Sequence, residues 1–121
     1  MFKFIENLKI REIIYRYRDF KKQHPDFNED QLCRLTIEKR IRDYPSLFQF
    51  RGHDNDHVIK FYMENIFTQP LNLKYVCTWF MEEEYPKYNA VKNSSNLNRW
   101  KRNANNLEYR IDKLIKDIPM S

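Results

Sequence analysis

Glycine is almost missing: Gly52 is the one example in 121 residues. Tight hairpin turns draw on glycine for positive φ, so its scarcity argues against a sheet-rich fold with many short turns. Cysteine is nearly as scarce. Cys33 and Cys77 are the only two and no secretory signal precedes them, so a cytoplasmic protein with reduced thiols is expected. The opening Met1-Phe2-Lys3-Phe4-Ile5 is too short, and too soon interrupted by charge, to act as a signal peptide. No apolar run approaches the length of a membrane span, and no membrane partner is expected. A glycine-rich phosphate loop, a nucleophile elbow and a paired metal motif are all lacking. No catalytic residue, cofactor or resident metal is therefore expected.

What is present is enough for a core. Apolar residues make up 41% and aromatic residues 16%, sufficient for one compact unit spanning residues 1–121. Twenty-two Lys and Arg against 17 Asp and Glu leave a net charge of +5, which permits binding to a polyanion.

Helical periodicity dominates the chain. Residues 7–22 place Ile10, Ile13, Ile14, Tyr17 and Phe20 on one face, with Phe4, Leu8 and Tyr15 nearly opposite. Arg16, Arg18, Lys21 and Lys22 load the end of this helix, which suits its negative pole, and His24-Pro25 stops it. Asn28-x-x-Gln31 has the form of a variant capping box, with Phe27 and Leu32 placed for a hydrophobic staple. The second helix runs to about Asp43, buries Cys33, Ile37 and Ile41, and ends at Tyr44-Pro45. Phe48 and Phe50 alternate with polar residues, a pattern open to a short extended piece. Asp54 or Asp56 caps a third helix over about 57–67, with Val58, Ile59, Tyr62, Ile66 and Phe67 on its buried side. Asn72 caps a fourth over 73–84, where Leu73, Val76, Cys77 and Phe80 form the stripe. Residues 87–94 read as a polar loop.

The strongest pattern comes last. Over residues 95–118, Leu97, Trp100, Ala104, Leu107, Ile111, Leu114 and Ile118 recur at alternating spacings of three and four, one apolar stripe along a helix. Asn103, Asn105 and Asn106 interrupt it with side chains that compete for backbone bonds. A break there would leave 107–111 extended; the stripe predicts continuity.

The middle and end of the chain resemble each other. In each half a helix carries one cysteine, ends at Tyr-Pro, and leads through a basic connection into a short motif, Ile59-Lys60-Phe61-Tyr62 or Leu97-Asn98-Arg99-Trp100. Two units, 26–70 and 71–121, are expected on this pattern. The run from Lys87 through Lys92, Arg99, Lys101 and Arg102 contains no acid, and such a run displaces counterions from phosphate. Asn98 and Arg99 are side chains that pair bidentately with adenine and guanine edges. Arg51, His53 and Lys60 form the matching set in the first unit. His53-Asp54-Asn55-Asp56-His57 is the only metal-like cluster, and its aspartates also serve as helix caps.

Leu97-Asn98-Arg99-Trp100-Lys101-Arg102, followed by Asn103 to Asn106 and then Leu107-Glu108-Tyr109-Arg110-Ile111, resembles the winged-helix element of excisionase and MerR-type DNA-binding proteins. Ile59-Lys60-Phe61-Tyr62 is similar to the Ile-Arg-Tyr-Tyr signature of the MerR type. The resemblance covers these two short pieces, and Ala104 among asparagines stands where the family usually carries a turn glycine. It implies a recognition helix at 97–102 and an extended wing at 107–111. A tandem pair would look like the small accessory proteins of Gram-positive conjugative plasmids, or a phage equivalent.

The expectation is a mainly α fold of about five helices, in two similar helix-turn-helix or winged-helix-like halves with little β. Its expected role is non-enzymatic binding of double-stranded DNA in regulation, plasmid transfer or phage development, as monomer or homodimer. The DNA-binding residues would be Arg51, Lys60, Lys87, Lys92, Asn98, Arg99, Lys101 and Arg102. The rival is a mobile-element protein that binds and inhibits a host protein, with Glu82-Glu83-Glu84 and exposed aromatics as anchors.

Overall fold

The computed structural model describes residues 2–45, 54–84 and 97–119, with side chains over 7–45, 54–82 and 107–119. The described residues form five α-helices and no strand: α1 (Phe2–Gln23), α2 (Glu29–Asp43), α3 (Asn55–Asn65), α4 (Leu73–Glu84) and α5 (Leu97–Asp117). The class is mainly α, as the sequence periodicity predicts.

Local chemistry sets the helix starts. Asn28 Oδ1 accepts from the N–H of Gln31 at 2.8 Å while Gln31 Oε1 accepts from the N–H of Asn28 at 2.9 Å, so both halves of the capping box form at α2. Asp54, not Asp56, caps α3 by accepting from the N–H of His57 at 2.8 Å. Asn72 caps α4 through the N–H of Tyr75, also at 2.8 Å.

Helix α1 is the hub. It packs on α2, α4 and α5; α2 packs in addition on α3 and α4, and α4 on α5. Every helix contributes to one core. Ile10, Ile13, Ile14 and Tyr17 come from α1, and Leu32, Cys33, Ile37 and Ile41 from α2. Val58 and Ile59 come from α3, Leu73, Val76, Cys77, Phe80 and Met81 from α4, and Leu107, Ile111 and Leu114 from α5, with Ile118 just beyond its end.

Several boundaries differ from the sequence expectation. α1 begins at Phe2 rather than residue 7. α3 runs from Asn55 to Asn65, two residues earlier at each end than predicted. Its end separates Ile66 from Phe67: Ile66 is 40% exposed, and Phe67 turns into the core from the connection that follows. On α1, Leu8 and Tyr15 face solvent.

α5 is continuous through its asparagines, so the extended wing implied at 107–111 is not formed; those residues are helical, with Leu107 and Ile111 buried. Magnitudes explain the outcome. Three asparagines cost at most about 0.7 kcal/mol each against alanine. Each buried Leu or Ile of the stripe contributes roughly 1.5–3 kcal/mol. The expected extended piece at Phe48 and Phe50, and the loop at 87–94, lie outside the described residues.

Candidate nucleic-acid interface

The register of α5 decides what its first turns can present. Its buried stripe fixes the face turned to the core. At 3.6 residues per turn, positions 98, 99, 101 and 102 all fall at least about a quarter turn away from that stripe. One helix therefore carries four of the expected contact residues, Asn98, Arg99, Lys101 and Arg102, off its core-facing side. Arg51, Lys87 and Lys92 lie outside the described residues. Lys60 is exposed on α3. α3 packs on α2, whereas α5 packs on α4 and α1, so this packing does not set Lys60's helix against α5.

The other cations divide into those that are tied and those that are free. All four on α2 are tied: Arg34 to Asp30 at 3.1 Å, Lys39 to Asp43 at 3.1 Å, Arg40 to Glu12 at 3.5 Å and Arg42 to Asp56 at 2.6 Å. Lys74 of α4 holds Asp112 of α5 at 3.1 Å. In α1, by contrast, Arg11, Lys21 and Lys22 are exposed and stand in no ion pair with a described residue. Arg18 lies over the Tyr15 ring, 4.9 Å from its centroid. Lys113 and Lys116 are likewise exposed along α5.

Net charge follows the same division. α1 holds seven Lys and Arg against three Asp and Glu, and α5 six against three, giving +4 and +3. α2 is neutral at four against four, α3 is −1 and α4 is −2. The two helices that carry the positive charge are packed against each other. This arrangement raises the potential along one side of the molecule and attracts a polyanion there.

The shallow cleft between α1 and α2 is a structural clamp. The Tyr44 hydroxyl donates to Glu12 Oε1 at 2.7 Å, and that carboxylate pushes the Tyr44 pKa up. Arg40, 5% exposed, approaches the same carboxylate and lies 4.9 Å from the Tyr44 ring and 5.5 Å from Phe80. These groups satisfy one another and leave no reactive group aimed at solvent. The thiols are equally quiet. Burial raises Cys33 to about 12, with Glu29 and Asp30 adding to it, and burial also raises Cys77. In the candidate metal cluster, Asp54 is the α3 cap and Asp56 binds Arg42; His53 is outside the described residues.

Comparison with protein-family models, with curated proteins and with solved structures gives no significant match. Sequence reasoning assigned Lys21 and Lys22 to the helix pole and gave Arg11 no role. The signal that would have joined them to α5 is the charge excess per helix, which becomes informative once the two basic helices are known to pack together.

Proposed function

We propose that this protein binds double-stranded DNA without catalysis, through the first turns of α5 and the basic outer side of α1. The observation that carries this is the segregation of charge: the net positive charge of the helices sits on α1 and α5, which are neighbours, while the cations of α2 are consumed in ion pairs. Lys21, Lys22 and Arg11 supply sequence-independent phosphate contacts. Asn98 and Arg99 supply the side-chain types that read adenine and guanine edges from a helix in the major groove. A role in regulation, plasmid transfer or phage development suits a small non-enzymatic DNA binder of this kind.

The test is a gel shift with random duplex DNA at two salt concentrations. Replacing Arg99, Lys101 and Arg102 by alanine is expected to weaken binding at least tenfold, and replacing Lys21 and Lys22 to weaken it further. Unchanged affinity in both variants would remove the proposed surface.

A further inference from the structure

A second surface has the opposite character. Three large apolar side chains stand exposed where α3 passes into α4: Phe61 at 39%, Ile66 at 40% and Tyr75 at 44%. They are joined by a run of rings. Phe61 meets Tyr62 edge-on at 6.0 Å, Tyr62 stacks on Phe67 at 6.2 Å, and Phe67 meets Tyr75 edge-on at 6.4 Å. Trp79 backs the run, 5.7 Å from Tyr62 and 5.0 Å from Phe67.

The surface is held firmly. Asp30 of α2 accepts from the N–H of Leu71 at 2.8 Å, and Arg34 reaches Gln69 O at 3.4 Å and Met63 Sδ at 3.3 Å. The connection between α3 and α4 is thus clamped to α2, and the exposed side chains ride on a fixed backbone.

Charge selects the occupant. α3 and α4 are the described helices with net negative charge, so a polyanion is not drawn here, and two copies of a +5 chain meet with least repulsion on this side. The outer face of α3 also carries its own complement. Lys60 and Glu64 lie four residues apart on the face that includes Phe61; both are exposed and in no ion pair with a described residue. When two α3 helices cross antiparallel about a two-fold axis near the middle of residues 60–64, Lys60 of each copy meets Glu64 of the other. A two-fold interface requires this reciprocity.

We infer that the α3–α4 corner is a self-association surface, occupied by the same corner of a second copy, with Phe61, Ile66 and Tyr75 as its apolar centre and reciprocal Lys60–Glu64 pairs at its rim. The inference does not depend on DNA binding. It gives Lys60 a partner other than phosphate.

Sedimentation equilibrium of the full chain without DNA tests it. The patch is small, which places the dimer at the weak end of specific interfaces, so the average mass should rise from one chain to two between about 1 μM and about 1 mM. Phe61→Asp should leave a monomer throughout, with circular dichroism confirming that the helices persist. Lys60→Glu and Glu64→Lys should each weaken the dimer, and the double exchange should restore it. A wild-type chain that stays monomeric, a dimer untouched by Phe61→Asp, or a double exchange that fails to restore association would each overturn the inference. Retained duplex binding in a monomeric chain would do so while leaving the proposed function intact.

Discussion

Asp30 holds two elements at once. Its carboxylate takes Arg34 Nε at 3.1 Å within α2 and the Leu71 N–H ahead of α4. Burial works against its charged form, but the Arg34 and Leu71 hydrogen bonds and the Arg34 charge outweigh that and hold its pKa below the ordinary carboxylate value. A depressed carboxylate contributes stability that is complete above the unfolded-state pKa, about 3.9, and is lost as pH falls through the lower folded value. Asp30→Asn should therefore flatten the loss of melting temperature on acidification below about pH 4; an acid limb identical to that of the wild type would contradict this linkage. Cys33 and Cys77 give a second prediction at this scale. Buried thiols with raised pKa values have few reactive thiolates. A thiol reagent at pH 8 should label them only at the rate of unfolding, so fast labelling of the native chain would refute their placement in the core.

Helix α5 shows how far a stripe can override its own interruptions. Ile111 is fully buried, and Ile111→Ala should cost about 2–5 kcal/mol of stability in denaturant unfolding. Asn105→Ala should add a few tenths of a kcal/mol, because it removes only a poor helix former; a loss there would show that the asparagines do more than tolerate the helix. Elements of this kind were legible in the sequence because stripe, cap and stop signals agreed. The Asn28 box, the Asn72 cap and the Tyr44-Pro45 stop all set boundaries the structure reproduces. α3 was less legible. Asp54 and Asp56 were equal candidates for its cap, and the choice depends on Arg42, which binds Asp56 from another helix. Ile66 and Phe67 looked alike in sequence, yet α3 ends at Asn65 and only Phe67 reaches the core. The wing at 107–111 was implied by resemblance, and the burial of Leu107 and Ile111 decided against it.

At the scale of the whole molecule, the fold separates a basic side from an apolar, charge-balanced corner. The sequence supplied the residues of the first through α5, but the contribution of α1 depends on which helices are neighbours, a tertiary fact without a local signature. The apolar corner was hidden for a similar reason: Phe61, Ile66 and Tyr75 belong to two helices and a connection, and each alone reads as ordinary core. The central claim is that α1 and α5 together form one polyanion-binding side. Its most direct measurement is the salt dependence of duplex affinity, log K against log salt concentration, for the wild type and for Arg99→Ala/Lys101→Ala/Arg102→Ala. Three lost phosphate contacts should make the slope shallower by about 2.7, at roughly 0.9 per contact. Parallel lines for the two proteins, or no duplex binding at low salt, would contradict it.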